Sequence, residues 1–374
     1  MIMHSFDYPP MHGGIARLCG EIADGMRRRG RSVRVVTQTG DGGAGLLVPE
    51  VSESRVTASR PWRECQALRR LRNSARGESA VICGTWYPEG LLALLAGLRP
   101  IVILAHGNEL LPVPSRWRRA AWARLARAVL GSADLIVANS DYTARLVRAA
   151  SPGCRVVSIP LAADHHRFAP GDRAAARRRL RLDGHTRAIV TVARLLAYKG
   201  HDVVFRALAA LPDDMRGRFV HIIAGRGPDR AVIEGEAQRL GVADRVRWEG
   251  FVAEADLTEL YRAADLVALC TRATDRREVE GFGLALLEAQ ACGTPVVGTA
   301  SGGIPDAVAP GEGGWLIEPD DHEALAHLLR RLNDDPAEFR RAGEAARARV
   351  ERDGTWDRYL DRFEATLRAE GLLP

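Results

Sequence analysis

Short apolar runs of four to seven residues recur from one end of the chain to the other, and between most of them lies a longer stretch whose apolar positions repeat at helical spacing. A strand that is apolar throughout must be covered on both faces, and a parallel neighbour is reached only through a crossover. The alternation therefore predicts β-α units around parallel sheets, an α/β chain. Two such blocks are visible. In the first, GGIARLCGEIADGMRRRG puts Ile15, Leu18, Cys19, Ile22 and Met26 on one helical face, with arginines in the last turn before Gly30. MIMHSF makes a short first strand, followed by SVRVVTQ and by strands at 80–84, 101–105, 134–138 and 155–159. A Pro-Gly and a charge run between about 168 and 186 break the rhythm and mark a linker. The second block has strands at 188–193, 218–225, 245–250, 265–270 and 295–299. After Trp315 the pattern reads as wholly helical, near 321–332, 336–351 and 355–369.

Length agrees with two blocks, since 374 residues at about 150 per domain is a prior for two domains. The longest dense apolar stretch, Leu91 to Leu98, stops at Arg99 and Pro100, well short of a membrane span. MIMHSFDYPP lacks the basic and apolar regions of a secretory signal, so a cytoplasmic protein is expected. Six cysteines without a C-x-x-C pair fit neither a disulfide framework nor a zinc site, which leaves reduced core thiols.

Of 53 basic side chains, 52 are Arg and one is Lys199. No G-K-[ST] exists for a P-loop, and Lys199 is the sole lysine a pyridoxal phosphate could use. A lone lysine in an arginine-rich chain is a candidate for work that guanidinium does poorly. Charge is also uneven: residues 1–170 hold 23 Arg against 13 acidic residues, net +10, and the remainder holds 30 basic against 34 acidic, net −4. The first half is therefore expected to face something anionic, and no nucleic acid is implied.

Three constellations carry chemistry. EVEGFGLALLEAQACGTPVVGTASGGIPDAV, 278–308, sets Glu280 and Glu288 on either side of Gly281, Phe282, Gly283 and Leu284, with a helix from about 283 to 292. Glycines at a helix N-terminus let backbone N–H groups meet a phosphate, and the two carboxylates would address different hydroxyls of one ligand. Arg194 and Lys199, in VARLLAYKG, follow a strand end that opens on the ligand crevice of a parallel sheet, where two cations can hold a pyrophosphate. Gly13 and Gly14, in YPPMHGGIARL, form a turn into the first helix. The plainer readings are, in the same order, a helix with a Gly-rich entry and two solvated glutamates, a solvated loop, and a tight strand-to-helix turn.

YPPMHGGIAR, HGNE at 106–109, ARLLAYKG and EGFGLALLEAQACGTPVV, in that order, resemble the retaining GT-B glycosyltransferases of family GT4 over nearly the whole chain. The segment from VEGFG to IPDAV is especially similar to bacterial mannosyltransferases acting on phosphatidylinositol mannosides. The resemblance implies two Rossmann-like domains facing across a cleft. Their limits would be 1–170 for the acceptor and 171–354 for the nucleotide sugar, with a C-terminal helix, 355–374 and around Trp356, crossing back to the first. It matches Arg194 and Lys199 to a pyrophosphate-binding pair, Glu280 to a carboxylate near donor-sugar hydroxyls and Glu288 to a ribose-binding carboxylate. Gly281 to Leu284 match the loop whose amides meet sugar and phosphate. Gly250, Phe251 and Val252, after Glu249, match the nucleobase site, His106 a histidine near the sugar's 6-position, and Gly13 with Gly14 a phosphate-facing turn.

The implied function is transfer of a hexosyl group from GDP-mannose or a UDP-hexose to a hydroxyl of a glycolipid, glycan or small molecule, with no cofactor. Rival readings are a donor epimerase or hydrolase and a catalytically silent nucleotide-sugar binding protein. No D-x-D pair exists in the sequence, so metal independence is expected, with guanidinium, ammonium and a helix N-terminus stabilising the leaving group. A carboxylate nucleophile could also give retention; the resemblance points instead to front-face attack, the leaving phosphate oxygen serving as base.

Other motifs read plainly. GRGPDR, 225–230, is an ordinary strand-to-helix turn lacking the third glycine of a dinucleotide fingerprint, and in DHEALAH His322 and His327 lie about 140° apart on a solvated helix. SRWRRAAWARLARAVLGS, 115–132, combines five arginines (Arg116, Arg118, Arg119, Arg124 and Arg127) with Trp117 and Trp122. It reads either as an interfacial helix on an anionic membrane, at the inner face of the cell membrane, or as a core helix with solvated arginines.

Overall fold

The computed structural model describes residues 1–11, 13–38, 53–56, 62–74, 80–111, 116–274 and 278–373. They form two compact units, Met1–Leu161 with Trp356–Pro374, and Ala162–Thr355. Each is a parallel sheet with helices.

Unit 1 contains strands β1 (Ile2–His4), β2 (Arg34–Gln38), β3 (Glu53–Val56), β4 (Val81–Cys83), β5 (Ile101–Ala105), β6 (Leu135–Ala138) and β7 (Val156–Ser158). They lie in the order β3-β2-β1-β4-β5-β6-β7 with parallel pairing throughout. β1, β4, β5 and β6 are buried along their whole length, as runs without polar alternation require. The Gly14–Arg28 helix buries Leu18, Cys19, Ile22 and Met26. The last helix, Trp356–Ala369, lies against it in the same unit. Leu360 occupies the space where a Cβ at Gly25 would sit, so glycine there permits the close approach. Arg29 adds ion pairs to Asp361 at 2.8 Å and Glu364 at 3.1 Å.

Unit 2 contains β8 (Arg187–Val192), β9 (Phe219–Ala224), β10 (Val246–Gly250), β11 (Leu266–Leu269), β12 (Val296–Thr299) and β13 (Gly314–Ile317), in the order β10-β9-β8-β11-β12-β13, again all parallel. Its core gathers Ile189, Phe205, Phe219, Ile223, Leu266 and Val297 with the Leu325–Leu332 face of the His322–Asp334 helix.

The structure corrects three expectations. β3 was not foreseen, because its sequence ESRV is polar apart from the buried Val56, and an edge strand needs only one apolar contact to pair. β13 was not foreseen either: it runs two residues past Trp315 and closes the other sheet's edge on β12, after which the helices His322–Asp334, Pro336–Asp353 and Trp356–Ala369 follow as the pattern suggests. The 168–186 segment is not a free linker. Asp172 caps a helix at Arg173–Arg179 by accepting from the Ala175 N–H at 2.9 Å, and Arg173 and Arg177 pair with Asp265 at 2.6 and 3.0 Å. That carboxylate takes two of the run's five arginines, and the boundary between units falls at 161/162, ahead of 170/171. Among the described residues no helix is long and apolar enough to cross a membrane.

Candidate active site

In an open parallel sheet, ligands bind beyond the carboxyl ends of the strands where the strand order reverses. In unit 2 that point lies between β8 and β11, neighbours in the sheet from which the order runs outward in both directions. The loop leaving β8 carries Arg194 and Lys199, and the loop leaving β11 carries Glu280. The Lys199 ammonium forms an ion pair with the Glu280 carboxylate and lies 4.9 Å from the Tyr198 ring centre. Burial alone would lower the Lys199 pKa; the Glu280 charge, with Tyr198, outweighs it and holds the value above the ordinary 10.5. Gly200, at φ 75°, lies against the Cys270 carbonyl, where any Cβ would overlap it, so glycine lets the two loops meet.

Arg194 is exposed and makes no side-chain ion pair among the described residues. Its loop is held by backbone: the Leu195 N–H donates to the Arg226 carbonyl at 3.1 Å, and the Ala197 N–H to the Asp229 carboxylate at 2.8 Å. Gly225 and Gly227 crowd the Ala193 and Leu195 carbonyls with no room for a Cβ. The turn 225–230 is thus a turn, as its sequence suggests, and it also braces the Arg194 loop.

On the other side, the Gly303 N–H donates to the Glu280 carbonyl at 2.9 Å. Gly281, Phe282 and Gly283 are buried and Leu284 half-buried; Gly283, at φ 93°, opens the Leu284–Ala291 helix with Ile304 filling the place of a Cβ. The helix therefore starts beside Glu280 with its first N–H groups unpaired within it. Glu288, one turn on, is only 5% exposed and accepts a hydrogen bond from the Tyr261 hydroxyl at 2.9 Å. Gly250 ends β10 at φ 64° and its carbonyl accepts the Gly225 N–H at 2.6 Å. Phe251 beyond it is 61% exposed, its ring centre 5.9 Å from the Arg226 guanidinium, and Val252 is half-buried.

In unit 1 the order reverses between β1 and β4. Gly13 and Gly14 follow β1 and are exposed, and nothing among the described residues lies within 4 Å of where a Cβ would be on either. His106 follows β5. Its Nε2 lies 2.7 Å from the Gly84 carbonyl, which can only accept, and its backbone N–H donates to Glu109 at 2.6 Å. Trp86 Nε1 donates to the Glu109 carbonyl at 2.9 Å. Beside this loop is a cavity of about 270 Å³, lined by Trp86, Leu110, Leu111, Arg119, Trp122 and further alanines and leucines. Trp122 is half-buried and packs edge-on against Trp86 and Tyr87, 4.9 and 4.7 Å between ring centres. Arg124 and Arg127 are exposed, whereas Ser115 and the side chains of Arg116, Trp117 and Arg118 lie outside the described residues.

Tyr261, Asp229, Asp202 and Arg272 were not singled out from sequence. Each acts through a partner far along the chain, and only Gly225 and Gly227 hinted at the brace around Asp229.

Two sequence profiles match the chain: one described as Glycosyltransferase Family 4 over residues 12–167, the other as Glycosyl transferases group 1 over 172–349. The chain is 34% identical to the GDP-mannose-dependent alpha-(1-6)-phosphatidylinositol monomannoside mannosyltransferase of Mycolicibacterium smegmatis, over 69% of this chain and 67% of that protein. It is 36% identical to D-inositol 3-phosphate glycosyltransferase 1 of Catenulispora acidiphila, over 76% and 70%. Of the similar enzyme from Mycolicibacterium gilvum it spans 48%. Among solved structures, sucrose-phosphate synthase of Thermosynechococcus elongatus superposes with a TM-score of 0.82 at 23% identity, covering 98% of both chains. Anabaena HepE in complex with UDP-glucose gives 0.79 at 22%, covering 99% of this chain and 100% of that one. At those identities the likeness establishes the fold, GT-B.

Proposed function

Because the chain belongs to the GT4-type glycosyltransferases, we propose that it transfers a hexosyl group, with retention, from a nucleoside diphosphate sugar to a hydroxyl. The observation that carries this reading is the buried Lys199–Glu280 pair at the reversal point of unit 2, with the exposed Arg194 on the same loop. A departing nucleoside diphosphate gains negative charge. Ammonium, guanidinium and a helix N-terminus already in position stabilise that charge without reorganising. Arg194 and Lys199 take the pyrophosphate, and the amides of Gly281 to Leu284 meet phosphate and sugar. Glu280, released from Lys199 as the phosphate takes its place, accepts hydrogen bonds from sugar hydroxyls.

Glu288, oriented by Tyr261, receives the ribose, and the backbone of Gly250, Phe251 and Val252 holds the base. The acceptor oxygen forms its bond to the anomeric carbon on the face the phosphate leaves, and the departing phosphate oxygen takes the acceptor proton. Two cations and a helix terminus do the work that a divalent ion does elsewhere, so the reaction proceeds without metal.

GDP-mannose is the first donor to test, since the Mycolicibacterium relative is named for it; UDP-hexoses are the second, since HepE is described with UDP-glucose. An anionic, lipid-linked acceptor is supported by the net +10 of residues 1–170, by the exposed Arg124 and Arg127, and by the apolar cavity beside His106. The protein would then work in the cytoplasm, held peripherally at the membrane. Thermal-shift screening with GDP-mannose, UDP-glucose and UDP-N-acetylglucosamine tests the donor, because a bound ligand raises the melting temperature by mass action. Product analysis with candidate acceptors separates transfer from epimerisation, hydrolysis or silent binding. A shift with none of the three, or a β product from an α-linked donor, contradicts the reading.

A further inference from the structure

Arg272 ties together the two loops that bear Lys199 and Glu280. Its backbone N–H donates to the Tyr198 carbonyl at 2.9 Å, and its guanidinium holds both carboxylate oxygens of Asp202 at 2.7 and 2.8 Å. Asp202 stands in the first turn of the His201–Ala209 helix, directly after the Lys199–Gly200 turn, where a carboxylate also complements the helix dipole. Arg206 reaches the same carboxylate at 2.8 Å, and Asp320 stands 2.8 Å from the guanidinium of Arg272. The two side chains of the clamp are 22% and 16% exposed, sheltered enough for the pairing to persist. Neither touches Glu280 or Lys199 by its own charged group. One guanidinium nitrogen, Nη2, serves both oxygens of Asp202 while another, Nε, lies 2.8 Å from the Asp320 carboxylate, so the planar group spans two carboxylates at once, which a single ammonium does not.

We propose that Arg272 and Asp202 are a positioning pair that sets Lys199 against Glu280 and thereby governs how tightly unit 2 binds a nucleoside diphosphate. This rests on the donor-site reading above. Arg272 acts through Lys199, so its loss costs affinity only while Lys199 is present. The span of one planar group across Asp202 and Asp320, rather than the charge alone, is what matters, so Lys at 272 does not substitute for Arg.

Calorimetric titration of the full chain with GDP and with UDP tests this on the wild type, Lys199→Ala, Arg272→Ala, Arg272→Lys and the double variant Arg272→Ala/Lys199→Ala, with melting temperatures recorded for each. The expected result is affinity about tenfold weaker in Arg272→Ala, nearly as weak in Arg272→Lys, and no weaker in the double variant than in Lys199→Ala alone. If the Ala variant does not fold, Arg272→Lys alone and combined with Lys199→Ala carries the comparison. Wild-type affinity in Arg272→Lys, or losses that add in the double variant, overturns the positioning role and leaves the donor site standing. Binding of neither nucleotide by the wild type, or binding unchanged in Lys199→Ala, overturns the donor site itself and the positioning role with it.

Discussion

Replacing Glu280 by Gln leaves the Lys199 ammonium buried without its carboxylate. The two side chains are 10% and 20% exposed. Breaking a fully buried pair by removing one partner costs about 3–5 kcal/mol, and the remaining exposure, together with the amide oxygen that Gln still offers, brings the expected loss to about 2 kcal/mol. For a domain of about 150–250 residues, 1 kcal/mol shifts the melting temperature by about 2–4 °C, so a fall of about 4–8 °C is expected at neutral pH by scanning calorimetry. The pH dependence supplies a second readout. In the wild type the folded-state pKa of Lys199 lies above the unfolded 10.5, so its stabilisation is present below 10.5 and is lost as pH rises past the folded value. Without the Glu280 charge, burial brings the folded value below 10.5. Between the two values the unfolded state then binds more protons, and the stability of Glu280→Gln rises as pH climbs toward 10.5 while that of the wild type stays level. Removing both charges, as Lys199→Met/Glu280→Gln, recovers most of the loss, because a neutral packed pair leaves no buried charge unpaired. A Glu280→Gln protein that melts with the wild type and shows the same pH slope would refute the coupling.

Arg194→Ala and Lys199→Ala should each lower turnover by roughly 10²-fold, the cost of one preorganised donor, in a steady-state assay with the donor found by thermal shift; near-normal rates in both would remove them from the leaving-group site. Gly200→Ala forces a side chain into a left-handed conformation against the Cys270 carbonyl and should cost about 2–4 kcal/mol in urea unfolding, and an unchanged midpoint would show that the two loops are not packed as described. Burial holds His4 and His201 down at about 4 and His221 well below its ordinary value, so the unfolded chain takes up protons first and stability should fall as pH drops from 6.5 toward 4; a flat acid profile over that range contradicts the burial of all three. Arg124→Glu/Arg127→Glu should weaken co-sedimentation with anionic vesicles at low salt, each surface cation contributing about 1 kcal/mol, and vesicle binding that is absent in the wild type would leave those arginines as solvated surface alone.

Periodicity is a local property, and what depends on it was legible in the sequence. Among the described residues, ten of the thirteen strands follow from short runs rich in apolar residues, and β1 from the short MIMHSF. Helix limits followed from spacing and from glycines such as Gly283, whose left-handed φ lets the helix begin beside Glu280. The lone Lys199 stood out by composition, Glu280 by its glycine-rich setting, and both lie at the β8–β11 reversal that such motifs favour. What the sequence could not supply were relations between distant residues. Lys199 and Glu280 are separated by 81 positions, Asp202 and Arg272 by 70, and no local pattern says that Gly200 lets their loops touch. Glu288 reads as a free helical carboxylate until Tyr261 from another helix closes over it. Edge strand β3 escaped because pairing on one side relaxes the apolar requirement that announces a central strand. That Trp122 packs against Trp86 and Tyr87 was likewise beyond the helical pattern of 115–132. Chain order dictates which elements form. Which carboxylate meets which cation is decided only when the crossovers bring two strand ends side by side, since charge pairing acts over a few ångströms of space and is indifferent to distance along the chain.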